Sequence, residues 1–425
     1  MNSVQSAFEK SFGALLKNSQ VSFLYHENGY KLASYNESQA LVPASNTKLF
    51  CTASALMLNT SQKVLPSFQV LKDGEVEQER LKGNLIIDAC GSLDFSGRYP
   101  TSLSIEEKNQ KLAERIDQFA NRIKSFGVKF VDGDLKVSFH RWNGIVENPH
   151  YNAAVPFLFN ENTVDTSVAD GELQVCPKEP LIFSFKQDEE IKNQDKRAKN
   201  TIFYNPNTDS KDYWRINKTD GNEYARQMLK RELEKRGVKF LGKSHSGNTE
   251  LLFEVEQQES VEDYTYPINQ YSDNLRAELL ALQINRLTQG QATYKGLNNS
   301  LKEILGDNVK GAFEFYDGSG LSRKNKCSAT SLVSLLEWAG NSSWHQAFEQ
   351  SLSVASFSGT LAKRFHGTPF EKSFIGKTGT LNKVTALSGY WLKDPYTKVT
   401  LSFIGNGDDN TKYWQALESF AKKLK

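Results

Sequence analysis

The chain has 425 residues, more than one ordinary domain holds, so two or three domains are expected. Its 52 Lys plus Arg nearly cancel 50 Asp plus Glu, and a net charge of +2 excludes the electrostatic footprint of a nucleic-acid-binding protein. No apolar run reaches the ~18 residues needed to cross a bilayer, so a soluble chain without a transmembrane segment is expected.

Residues 1–17 lack the basic start, apolar core and small-residue cleavage site of a signal peptide; Val4, Phe8, Phe12, Leu15 and Leu16 instead predict a short amphipathic helix. Residues 21–25 and 30–35 alternate apolar and polar side chains across Asn28-Gly29, a β-hairpin signal. The hairpin leads to Pro43-Ala44-Ser45-Asn46-Thr47-Lys48, followed at helical spacing by Leu49, Phe50, Ala53, Leu56 and Leu58, which predicts a buried helix. From about Lys63 the texture changes to short strands, 67–71 and 84–88, between charged turns. Ser104 and Glu107 form a capping-box pattern before a helix striped with Leu112, Ile116, Phe119 and Ile123, and Gly127 ends it. A helix over 222–236 then runs into Gly237-Val238-Lys239-Phe240, echoing Gly127-Val128-Lys129-Phe130, so the middle third is expected to hold two α/β layers. Residues 188–200 are dense in charge and read as a solvated loop.

From Val261 the texture changes back. Ser272-Asp273-Asn274 stands at the entry to a buried helix over 275–287. Residues 316–323 form a turn-rich loop; 373–380, 386–392 and 398–404 predict an antiparallel meander, and a last helix packs back with Trp414, Leu417 and Phe420. The four cysteines, Cys51, Cys90, Cys176 and Cys327, make no C-x-x-C, and the six histidines show no metal-ligand spacing, so neither metal nor cofactor is expected.

Ser45 and Lys48 are three residues apart, which on a helix brings the amine within reach of the hydroxyl. A serine is a poor nucleophile until a base takes its proton, and a lysine serves as that base only when desolvation or a nearby cation lowers its pKa. The same spacing at Ser419 and Lys422, in a charged terminal segment, reads as accidental. Alone, Ser45 reads as a helix cap, as does Ser272. Together with Lys377-Thr378-Gly379, however, the three motifs in this order are the signature of penicillin-binding proteins and serine β-lactamases.

With Asp317-Gly318-Ser319-Gly320-Leu321-Ser322-Arg323, Ser353-Val354-Ala355, Gly359-Thr360-Leu361 and Leu387-Ser388-Gly389-Tyr390, most of the chain resembles the class C low-molecular-mass penicillin-binding proteins, the D-alanyl-D-alanine carboxypeptidase/endopeptidase family of the DacB type. The long interval between Ser45 and Ser272 is similar to that family's inserted domain, whereas Ala89-Cys90-Gly91-Ser92-Leu93-Asp94 departs from its Gly-rich run. The resemblance implies an α+β fold: a transpeptidase-like domain, an antiparallel sheet flanked by helices, from residues 1–62 and 252–425, with an inserted α/β region at 63–251.

It further implies a serine DD-peptidase acting on peptidoglycan peptides, periplasmic or extracellular once an export signal is removed, with β-lactams as covalent inhibitors. Ser45 would be the nucleophile, Lys48 its base, Ser272 a proton relay, Asn274 a holder of Lys48 and the substrate amide, and Lys377 with Thr378 the carboxylate site. Gly379 would let the substrate approach the backbone, and the N–H groups of Ser45 and Thr380 would face the oxyanion. Arg323, Asn382, Tyr151 and Glu147 are expected near the third residue of the peptide. Rival readings are a serine β-lactamase, or a non-catalytic peptidoglycan-binding protein that keeps the fold.

Overall fold

Asn28 and Gly29 both take positive φ, 50° and 81°, and so close a tight turn between β1 (Gln20–Glu27) and β2 (Tyr30–Tyr35). The chain is described by a computed structural model over residues 3–100, 102–142, 154–191, 196–198, 200–216 and 218–424, save the side chains of 196–198 and 218–220. It divides into two compact units, one from Met1–Leu65 and Glu259–Lys425, the other from Pro66–Glu147 and Asn152–Gln258.

In the first unit the hairpin is joined by β3 (Ser353–Val354), β4 (Phe374–Leu381), β5 (Val384–Asp394) and β6 (Thr397–Asn406). The sheet order is β3-β4-β5-β6-β1-β2, antiparallel throughout. The expected meander is present as β4, β5 and β6.

Successive side chains of β1 point to opposite faces. Val21, Phe23 and Tyr25 enter an aromatic core with α1 (Ser3–Phe12) and the terminal helix Asn410–Lys423: Phe8 stacks on Phe23 at 4.2 Å and Phe420 meets Phe23 edge-on at 5.5 Å. Leu24 points the other way, onto Ala329 and Val333 of the helix Ala329–Gly340. On that side α2 (Thr47–Leu58) packs against α3 (Val261–Gln270) and α4 (Asn274–Gln289). Every residue of α2 from Thr47 to Leu56 is buried, so this helix has no solvent face to host a charged side chain cheaply.

In the second unit, Ser104 and Glu107 complete the capping box of the helix Ile105–Ser125, and Leu112, Ile116, Phe119 and Ile123 are buried. Its sheets include the order Glu250–Val255, Phe68–Lys72, Leu85–Asp88, Leu135–Ser138. The two echoed segments lie side by side, Phe130–Val131 pairing in parallel with Lys239–Phe240. One expectation fails here. Lys196–Ala198, inside the segment read as a solvated loop, forms a short strand antiparallel to Thr201–Tyr204, because ladder bonds to a neighbour outweigh weak local propensity. All four cysteines are buried thiols outside any disulfide. Among the described residues no helix is long and apolar enough to cross a membrane.

Candidate active site

Ser45 sits in the 3₁₀ turn Ala44–Asn46, and the α-helix proper starts two residues later at Thr47. Side chains at i and i+3 eclipse in such a turn. The Lys48 amine accordingly lies 3.0 Å from Ser45 Oγ. Ser45 is half-buried, whereas Lys48 is 0 % exposed. The Ser45 backbone N–H, in the first turn of the helix, takes no hydrogen-bond partner among the described residues.

Lys48 has two further partners, Asn274 Oδ1 at 2.8 Å and the Ser319 carbonyl. Both oxygens only accept. A neutral amine has two N–H donors and one lone pair, so when both donors are directed at Asn274 and Ser319 the lone pair faces the Ser45 hydroxyl. Burial lowers the Lys48 pKa to about 8, against the charges of Glu278, Asp317 and Asp273, which raise it. A buried amine thus becomes a base near neutrality.

The Ser319 carbonyl is held by carboxylates below its loop. Glu278, one turn beyond Asn274 on α4, accepts from the N–H groups of Gly318 at 3.1 Å and Ser319 at 3.0 Å. Asp317 accepts from the N–H groups of Gly320 and Ser322 and from Asn325 Nδ2, at 2.8, 2.6 and 2.6 Å. Gly320 has φ +86°, and a Cβ there would stand 2.0 Å from the Ala44 carbonyl oxygen, so only glycine lets this loop close on the Ser45 turn. Glu278 escaped the sequence reading. The available signal was the single acid of a largely buried helix, four residues after Asn274.

Lys377 lies on β4, fully buried, with its amine 2.9 Å from the Thr378 carbonyl; burial and then the Lys48 charge hold its pKa well below the usual lysine value. Thr378 Oγ1 donates to Thr360 Oγ1 at 2.8 Å. Gly379 faces the Ser45 turn: an added Cβ would lie 2.5 Å from the Pro43 carbonyl oxygen and 2.9 Å from the Asn46 side-chain amide. Close approach of these two protein segments by itself requires glycine there. With its amide oriented to match its neighbours, Asn46 donates to Ser388 Oγ at 3.0 Å and the Lys377 carbonyl at 3.3 Å and accepts from the Gly379 N–H at 3.2 Å, lacing the turn to the strand. Asn46 and Thr360 were also missed as site residues, since each acts through a partner remote in sequence.

Ser272 is half-buried with φ 62°, a left-handed backbone that a serine adopts only under constraint; Asp273 caps α4 by accepting from the Arg276 N–H at 3.0 Å. The Ser272 hydroxyl makes no hydrogen bond among the described residues. Thr380 is exposed and pairs with Thr385. Arg323 and Asn382 meet at an exposed rim, the guanidinium donating to the Asn382 carbonyl at 2.6 Å. Tyr151 and Glu147 lie outside the described residues. Ser419 bonds Lys423, not Lys422, on an exposed helix face. A cavity of about 620 Å³, lined by Phe119, Phe253, Arg115 and Arg122 among others, belongs to the other unit and contains none of the motif residues; the chemistry follows the buried amines, not that hollow.

The chain is 28 % identical over 444 residues to a D-alanyl-D-alanine carboxypeptidase of Actinomadura sp. strain R39, covering 93 % of this chain and 79 % of the relative. It is 24 % identical over 413 residues to the D-alanyl-D-alanine carboxypeptidase DacB of Haemophilus influenzae, covering 88 % and 82 %. Its fold matches the crystal structure of penicillin binding protein 4 (dacB) from Haemophilus influenzae with a TM-score of 0.72 at 20 % identity, over 100 % of this chain and 98 % of that one. The sequence profile of a peptidase family matches residues 14–424, nearly the whole chain. The chain belongs to the D-Ala-D-Ala carboxypeptidase 3 (S13) family.

Proposed function

We propose that the chain is a serine-type DD-peptidase that cleaves D-Ala-D-Xaa bonds of peptidoglycan stem peptides through an acyl-enzyme at Ser45. The observation that carries this reading is the Lys48 amine, 3.0 Å from Ser45 Oγ and within hydrogen-bond reach of two oxygens that only accept, which take both N–H donors of the neutral amine. As Oγ bonds to the substrate carbonyl carbon, the hydroxyl proton passes to Lys48 Nζ and the carbonyl oxygen becomes an oxyanion. Backbone N–H groups of Ser45 and Thr380 are its donors, each worth on the order of 100 to 1,000-fold in rate.

The C–N bond then breaks, and the proton reaches the departing amine by way of the Ser272 hydroxyl. Water attacks the acyl carbon, releasing the shortened peptide and restoring Ser45. Lys377 and Thr378 bind the terminal carboxylate, and Asn274 holds both Lys48 and the substrate amide. Arg323 and Asn382 face the third residue of the peptide. β-Lactams enter the same acylation step and remain as stable esters. Such a substrate places the protein in the periplasm or outside the cell.

Carboxypeptidase and endopeptidase action use the same groups and differ in whether free D-Ala or a cross-linked side chain departs. Mass analysis of purified monomeric and cross-linked muropeptides, incubated with wild type and Ser45→Ala, tests the reading. Loss of D-Ala or of cross-links with wild type alone supports it; unchanged pools with wild type overturn it.

A further inference from the structure

Four backbone N–H groups of residues 318–322 point into two buried carboxylates, and the carbonyl left over, that of Ser319, faces Lys48. One of those carboxylates, Glu278, belongs to the helix that also carries Asn274. A single side chain therefore ties together both acceptors that orient the Lys48 lone pair. It is 0 % exposed, in a place where an unpaired carboxylate is costly, and an apolar residue there would leave the buried Gly318 and Ser319 N–H groups without their acceptor.

Resting on the reading of Ser45 and Lys48 as nucleophile and base, we infer that Glu278 is a positioning residue for acylation, which clamps the Ser319 carbonyl onto Lys48 and supplies the negative field that keeps this buried amine basic. Other titratable groups around the pair are Asp317 and Tyr294 beside Glu278, and Asp273 and Cys51 beside Lys48. Lys377 carries like charge toward Lys48. Burial and the Asp317 charge push Glu278 above the usual carboxylate range, and the Glu278 charge in turn heads the influences that raise Lys48 against desolvation.

The sign follows directly. Lys48 works as a base when neutral, so acylation falls on the acid side of its pKa. Glu278→Gln removes the negative charge, the Lys48 pKa drops, and the acid limb of acylation moves to lower pH by on the order of one unit. The plateau also falls, since an amide cannot accept from both the Gly318 and the Ser319 N–H as a carboxylate does. Glu278→Asp keeps the charge, so its limb stays at the wild-type position while the plateau drops.

The test is the pH profile of acylation by a fluorescent penicillin for wild type, Glu278→Gln and Glu278→Asp, with Ser45→Ala as the blank. A limb shifted downward in Gln and retained in Asp supports the inference. Equal limbs in wild type and Gln, with only the plateau reduced, overturn it and leave the Ser45 reading standing. If Gln does not fold, a limb displaced in Asp overturns it and a limb held in place supports it. Wild type that takes no label instead removes the Ser45 reading itself.

Discussion

The Lys48 amine stands 3.0 Å from the Ser45 hydroxyl, and Lys48 is wholly buried. Burial brings its pKa to about 8, so Lys48 is partly neutral at physiological pH. Acylation by a β-lactam is predicted to rise with pH, roughly tenfold per unit on the acid side, and to level near that value. Lys48→Arg, which cannot lose its proton, is predicted to acylate about 100 to 10,000-fold more slowly at every pH. Stopped-flow acylation rates across pH check both statements; a flat wild-type profile contradicts them.

A methyl group added at Gly379 would meet the Pro43 carbonyl oxygen at 2.5 Å, a backbone contact that no rotamer change relieves. Gly379→Ala is predicted to cost about 1 to 3 kcal/mol of stability and to slow acylation, because β4 must retreat from the Ser45 turn. Thermal melting together with acylation rates decides it. Unchanged melting would show that the turn yields freely.

Thr378 Oγ1 donates to Thr360 Oγ1 at 2.8 Å. Thr360→Val is predicted to raise KM for a peptide with a free terminal carboxylate by roughly fivefold, the worth of about one hydrogen bond, with kcat little changed. Steady-state kinetics on a D-Ala-D-Ala peptide check the split. A fall in kcat at constant KM would assign Thr360 a different role.

Ser328 caps the helix Ala329–Gly340, accepting from the Ser331 N–H at 3.1 Å, on the side of the sheet away from the aromatic core. Ser328→Ala is predicted to lose about 1 kcal/mol and to lower Tm by roughly 2 to 4 °C, leaving acylation unchanged. Calorimetry beside penicillin labelling separates the two effects. Lost labelling at full stability would contradict the separation.

Local signals carried most of the fold into the sequence. Asn28-Gly29 announced its hairpin through the left-handed backbone it permits, and Ser104 with Glu107 announced a helix start, because each pattern is completed within a few residues. The spacing of Ser45 and Lys48 was legible for the same reason. Glu278, Asn46 and Thr360 were not, since their partners, the Ser319 N–H, the Gly379 N–H and the Thr378 hydroxyl, come from segments remote in the chain. Lys196–Ala198 was misread because its pairing to Thr201–Tyr204 overrides a charge-rich composition.

Intact-protein mass spectrometry after incubation with a penicillin, followed by peptide mapping, is the most direct test of Ser45 as the acylated nucleophile. The expected result is a gain of one penicillin mass on wild type, mapped to the peptide containing Ser45 and absent from Ser45→Ala. An adduct on another residue, or equal labelling of wild type and Ser45→Ala, would contradict it.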